Sequence, residues 1–124
     1  PQNGEWLEVP FEGIIYRTPK ANIIDSQMCP FILDLEPGEK TKKGKFKTDN
    51  GEEIAVLLTG EEFTLKFEDG EEIPVRKGEA VHFLASRPHF TENTGKVMAR
   101  IMVIRSDPSL YRVISDAFRH AAQV

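Results

Sequence analysis

Cysteine is nearly absent: Cys29 stands alone in 124 residues, so no internal disulfide can form. A chain without that staple fits a reducing cytosol, and Cys29 reads as a small buried hydrophobe. Long apolar runs are missing too. None reaches the ~20 residues a membrane helix needs, and no signal-peptide pattern is present. Positive charge is in deficit: 16 Lys and Arg against 20 Asp and Glu leave a net charge of −4. That balance argues against nucleic-acid binding by the domain as a whole. Glycine-rich phosphate loops, CxxC pairs and HExxH are absent, and no nucleophile–base pair is recognisable. Kinase, zinc-finger and hydrolase readings therefore have no support. The length suits a single domain that buries a core unaided. The chain opens on Pro1 rather than Met, which suits a domain cut from a longer protein or a processed chain.

What is present is mostly strand. Gly13–Tyr16, Met28–Leu35, Glu52–Leu58, Ala80–Leu84, Pro88–Glu92 and Val97–Arg105 read as strands bounded by turn residues. Glu62–Glu68 alternates, with Phe63, Leu65 and Phe67 on one face and Thr64, Lys66 and Glu68 on the other. Asp69-Gly70 then predicts a type I′ hairpin turn into Glu71–Val75. Short strands at this density predict a sandwich or barrel. The period changes at the end. Asp107 can cap a helix, Pro108 suits its first position, and Leu110, Val113, Ile114, Ala117, Phe118 and Ala121 share one face. That face packs on the barrel or forms a dimer contact. The expected organisation is a loosely structured lead-in over 1–12, a barrel over 13–106 and a helix over 107–124.

Two spaced blocks stand out. The first reads Lys47-Thr48-Asp49-Asn50-Gly51-Glu52-Glu53 and closes on Gly60; the second runs from Gly78 to His89 and Asn93. They resemble the two cupin motifs, G-x5-H-x-H-x3or4-E-x6-G and G-x5-P-x-G-x2-H-x3-N. Gly78, His89 and Asn93 match the second motif, while Leu84 and Ser86 replace its Pro and Gly. Glu53 and Gly60 match the first, with Lys47 and Asp49 at the two His positions and no leading Gly in register. A four-residue gap would put Phe46 and Thr48 there, which are worse ligands. The resemblance covers roughly Ile32 to Arg105 and is closest to the cupin half of bacterial helix-turn-helix/cupin regulators. It implies an all-β fold: a cupin-type double-stranded β-helix (jelly-roll barrel), here with a C-terminal α-helix. A homodimer is expected by family habit.

The resemblance implies a polar site of Lys47, Asp49, Glu53 and His89 inside the barrel. Asp49 and Glu53 have the interval of His and Glu in the His-x3-Glu…His triad of a hydroxypropylphosphonate-epoxidase-like enzyme. Asp49, Glu53 and His89 could thus hold one divalent metal ion (Fe, Mn, Ni or Zn). Lys47 argues the other way. A protonated ammonium has donors and no lone pair, repels a divalent ion, and can pair with carboxylates whose burial without a cation is costly. The leading expectation is no cofactor, with Lys47 in the metal's electrostatic place; a bound metal is the alternative.

Ala55 and Leu57 share the face of Glu53 by alternation. With Phe63, Leu65, Phe67, Val81 and Phe83 they predict an apolar pocket in which Phe63, Leu65 and Phe83 touch a ligand. The same aromatics could instead fill the core. His82 reads as a packing or surface residue, or as a pocket donor, and His120 suits a helix end. Lys40, Lys42, Lys43, Lys45 and Lys47 crowd one stretch. They form either a solvated loop or a barrel mouth that attracts an anion.

Three functions remain open. The leading one is a small-molecule-binding or sensing cupin domain, the effector-binding part of a transcription regulator whose DNA-binding helices lie elsewhere. The alternative is a mononuclear metal-dependent cupin enzyme (dioxygenase, epoxidase or isomerase) using Asp49, Glu53 and His89. The third is a structural dimerisation module. Expected partners are a small, anionic ligand and a second copy, with no nucleic acid and no membrane, in the cytoplasm.

Overall fold

Alternation of apolar and polar residues sorts the chain into strands with one buried face. The protein is described here by a computed structural model that covers residues 6–11, 13–19 and 27–107. Its strands are β1 (Trp6–Phe11), β2 (Ile14–Pro19), β3 (Cys29–Leu35), β4 (Glu52–Thr59), β5 (Glu62–Phe67), β6 (Glu72–Arg76), β7 (Ala80–Leu84), β8 (His89–Glu92) and β9 (Ala99–Arg105). They form a six-stranded sheet in the order β1-β2-β3-β9-β4-β7 and a three-stranded sheet in the order β6-β5-β8. Neighbouring strands are antiparallel throughout. This is the all-β architecture the sequence pattern predicts.

The core lies between the sheets and follows the period of two that a pleated strand imposes. Phe31, Leu33 and Leu35 of β3, Ile101 and Val103 of β9, and Ala55 and Leu57 of β4 are buried with Phe63, Leu65 and Phe67 of β5. Cys29 is fully buried, as a small hydrophobe should be. Gly60 lets the chain turn between β4 and β5. Its φ is +114°, and a Cβ there would stand 2.7 Å from the Met98 carbonyl oxygen and 2.9 Å from Ala99 Cα.

Two expectations end differently, and a third is not tested. Trp6–Phe11 is not a loose lead-in: it pairs along its whole length with β2 and becomes the edge strand of the larger sheet. The hairpin at Asp69-Gly70 forms, but its turn is not type I′. Gly70 alone takes a positive φ, and its N–H donates to the Phe67 carbonyl at 3.0 Å. The Asp69 carboxylate instead accepts from the Glu71 N–H at 2.9 Å. The expected C-terminal helix, with His120, falls outside the described residues. Among those residues no helix is long and apolar enough to cross a membrane.

Candidate functional site

Glu53 sits on the inward face of β4, where alternation with Ala55 and Leu57 places it. Burying a carboxylate is costly without a partner. The register supplies one, because Glu53 is directly opposite Arg105 on β9. Arg105 Nε donates to Glu53 Oε1 at 2.9 Å and Nη2 stands 2.8 Å from the same oxygen. Both side chains are more than nine-tenths buried. Arg105 Nη2 also lies 3.3 Å from Asp49 Oδ2, and the guanidinium packs over the Phe31 ring. Burial works against the guanidinium, but Glu53 and Asp49 outweigh it and hold Arg105 charged.

Asp49 precedes β4 in irregular backbone pinned by its N–H to the Ala85 carbonyl at 2.8 Å. A backbone bridge between Lys47 and His89 holds the same stretch against β8. Asp49 Oδ2 accepts from Lys42 Nζ at 2.8 Å. Burial raises the Asp49 pKa, yet Arg105, Lys42 and His89 together leave it below its ordinary value.

His89 opens β8 and is almost wholly buried. Its ring lies edge-on to Phe83, with centroids 4.9 Å apart. Nδ1 is 2.6 Å from the Arg87 carbonyl oxygen. That oxygen can only accept, so Nδ1 carries the proton and Nε2 presents its lone pair to the site. Lys42 Nζ donates to Nε2 at 3.1 Å. Burial pushes the imidazole pKa down and the Lys42 charge pushes it further. The Arg87 carbonyl, Glu53 and Asp49 offset this only partly, so His89 is neutral near pH 7.

Lys42 arrives from a 3₁₀ turn, Thr41–Gly44, where Lys42 (φ 55°) and Lys43 (φ 56°) both adopt left-handed backbone. Each such residue costs about 1–2 kcal/mol. The turn is fastened to β8 because the Thr91 N–H donates to Thr41 Oγ1 at 2.9 Å. That anchor, with the left-handed bend, aims one lysine of the basic stretch inward while Lys43 and Lys45 stay exposed.

A cavity of about 40 Å³ adjoins these groups, room for roughly three waters or one small polar fragment. Thr41, Lys42, Glu53, His89, Thr91 and Arg105 form its polar end, and Tyr16, Phe31, Leu33, Ala55, Ile101 and Val103 its apolar wall. Two carboxylates face two cations around a neutral imidazole, so the centre is charge-balanced.

The sequence-predicted residues divide clearly. Asp49, Glu53 and His89 converge, with one ligand atom from each within 4.8 Å of the others. Lys47 differs from expectation: it is exposed. Its backbone is taken by the bridge to His89, and strand alternation does not run through the irregular backbone to Asp49. Lys42 and Arg105 are the cations that contact Asp49, Glu53 and His89. Phe63, Leu65 and Phe83 also differ: they are buried in the core and do not line this cavity. Phe83 is committed to edge-on packing with Phe67 at 5.8 Å. Asn93 acts as a clamp. Its amide donates to the carbonyls of Leu35 and Val97, and its Oδ1 accepts from the Gly95 N–H. His82 is exposed on the outer face beside Glu52.

Whether a metal fits can be judged from the donors. Three ligand atoms are close enough, but Lys42 already uses the Nε2 lone pair and an Asp49 oxygen, and Arg105 uses Glu53. With both cations in place, a divalent ion would have to displace Lys42 from His89 and Asp49.

A family model described as a cupin domain matches residues 31–105. The comparison with curated proteins finds no match. Among solved structures, Drosophila melanogaster CENP-C bound to CAL1 superposes with a TM-score of 0.68 at 16% identity, covering 85% of this chain and 83% of that one. The Cupin_2 domain of an XRE family transcriptional regulator from Enterobacter cloacae gives 0.62 at 17% identity, covering 73% and 93%. A Cupin 2 conserved barrel domain protein from Salinispora arenicola gives 0.65 at 14% identity, covering 89% of each chain. At such identities the likeness concerns the fold alone.

Proposed function

The chain belongs to the cupin family, and on that premise we propose that it is a small-molecule-binding or sensing domain with a salt-bridged centre in place of a metal. One observation carries this reading. Lys42 Nζ stands 2.8 Å from Asp49 and 3.1 Å from His89, beside a cavity of about 40 Å³. Lys42 and Arg105 bring N–H groups to the cavity's polar end, which suits a carboxylate, carbonyl or hydroxyl on a compact molecule. The exposed lysines around the turn favour an anionic one. The wall opposite accepts a short apolar portion.

The test is a melting-temperature screen of small carboxylates, hydroxy acids and amino acids. A ligand at a hundred times its Kd adds about 2.7 kcal/mol, or roughly 10 °C in a chain this size. That rise should disappear in Lys42→Ala. A screen with no stabilising compound, or equal stabilisation of the variant, counts against the reading.

The wider role we propose is effector recognition within a transcription regulator, with DNA contacted by a part of the protein other than this domain. Likeness to the Cupin_2 domain of the Enterobacter cloacae regulator supports it. Ligand-dependent DNA binding by the native protein would test it. A homodimer in the cytoplasm belongs to the same proposal. Ile54, Leu84 and Ile104, exposed on the larger sheet, support the dimer. Light scattering that finds only monomer at tens of micromolar would remove it.

A second reading, a mononuclear metal enzyme, is favoured by the convergence of Asp49, Glu53 and His89. Elemental analysis of the untagged protein decides between them. Stoichiometric iron, manganese, nickel or zinc, lost in both Glu53→Ala and His89→Ala, would replace the leading reading.

A further inference from the structure

We propose that Lys42 is a built-in counter-cation that closes a latent divalent-metal site formed by Asp49, Glu53 and His89. The argument rests on lone pairs. An imidazole whose Nδ1 carries the proton has one in-plane lone pair, at Nε2. Nδ1 of His89 is held by the Arg87 carbonyl at 2.6 Å, and Nε2 faces Lys42 Nζ at 3.1 Å. A metal ion and the Lys42 ammonium therefore exclude one another at His89. The same ammonium takes Asp49 Oδ2, which lies 3.8 Å from His89 Nε2, at 2.8 Å.

The backbone supports a dedicated role for this lysine. Two consecutive non-glycine residues in left-handed conformation form a turn that glycine would make more cheaply. The cost is retained where a side chain is needed from that position, and Lys42 is the one that reaches the site. Its neighbour Lys43 makes the same bend and remains exposed. Thr41, fastened to Thr91, keeps the turn on β8. Without the ammonium, the three ligand atoms, already within 4.8 Å of one another, would face a pocket with one positive charge fewer. Carboxylate and imidazole donors of this kind suit a divalent first-row ion.

The inference does not depend on which organic molecule the cavity takes. Its test is cobalt(II) chloride titrated into the domain, followed by visible absorption and by melting temperature. Lys42→Gly removes the ammonium and also relieves the left-handed bend, so folding is favoured; Lys42→Gln is the second variant, and Lys42→Arg keeps the charge. Two charge-assisted hydrogen bonds must be given up for the metal to enter the wild type. The glycine and glutamine variants should therefore bind one cobalt ion about 100-fold more tightly. Lys42→Arg should behave as the wild type, and adding His89→Ala to Lys42→Gly should abolish binding. Wild-type affinity within about threefold of a folded Lys42→Gly or Lys42→Gln variant would overturn the proposal. So would a folded Lys42→Gly that takes no cobalt, or micromolar binding by the wild type itself. A negative small-molecule screen leaves these outcomes unchanged, so the two readings fail separately.

Discussion

Replacing Arg105 with methionine keeps most of the stem and removes the guanidinium that faces Glu53 and Asp49. The structure gives the expected size. Arg105 holds Glu53 at 2.9 and 2.8 Å and Asp49 at 3.3 Å, and both Arg105 and Glu53 are buried. Breaking a buried pair from one side costs about 3–5 kcal/mol, because the remaining charge loses its partner. Lys42 still holds Asp49, so the lower end, about 3 kcal/mol, applies. A chain of this length has a melting entropy near 0.26 kcal/mol/K, so the midpoint should fall by roughly 12 °C. Adding Glu53→Leu should return most of that loss, since an apolar pair of similar volume replaces the ionic one. The pH dependence supplies a second check. In the wild type the Asp49 carboxyl is held below its ordinary 3.8, with Arg105 the largest influence opposing burial. Such a group contributes stability above its ordinary value and loses it as pH falls through the lowered one. Without Arg105 the Asp49 value rises, so the variant loses less than the wild type as pH falls through 3.8 and below. Urea unfolding should thus show the deficit shrinking between pH 7 and pH 3.5. A loss under 1 kcal/mol, or an equal deficit at both pH values with no rescue by Glu53→Leu, would refute the reasoning.

Other perturbations follow from the same geometry. Because burial and Lys42 depress the His89 pKa below 6.5, the unfolded chain takes up that proton first. Urea midpoints should therefore fall as pH drops below about 6.5 and fall less in His89→Gln; a rise in wild-type stability over that window would contradict this. Gly60→Ala forces a Cβ against Met98 and Ala99 at a φ of +114°, and should cost more than about 2 kcal/mol by denaturant titration. Lys43→Gly should raise stability by about 0.5–1 kcal/mol, because the exposed side chain does nothing to offset its φ of 56°; thermal melts would show it.

Much of this fold is legible because alternation and turns are local. Glu53 declares its inward position through Ala55 and Leu57, and Phe63, Leu65 and Phe67 declare theirs in the same way. Arg105 was equally readable. Ile101, Val103 and Arg105 alternate along one strand, so a charged residue on a buried face was there to be found. Lys42 was not readable. Which of five crowded lysines turns inward depends on a left-handed bend that none of their side chains encodes. Motif spacing favoured Lys47, but spacing assumes regular strand, and the segment up to Asp49 is held by one hydrogen bond to Ala85 and an isolated bridge to His89. The Phe83 contact failed for a different reason. Alternation gives the buried face but cannot separate a cavity wall from a packed interior.

The position of β9 has a temporal consequence. It lies between β3 and β4, with Cys29 opposite Arg105 and Leu35 opposite Ala99, so it joins segments far apart along the chain. Such pairings form slowly, because the connecting loop must close before any contact rewards it. Ile101 and Val103 of the cavity wall and the guanidinium of the acid pair all arrive on this strand. During synthesis the pocket is therefore absent until β9 has left the ribosome. On the proposed ligand-binding reading, a ligand can stabilise only molecules that have finished assembling and cannot guide the earlier stages.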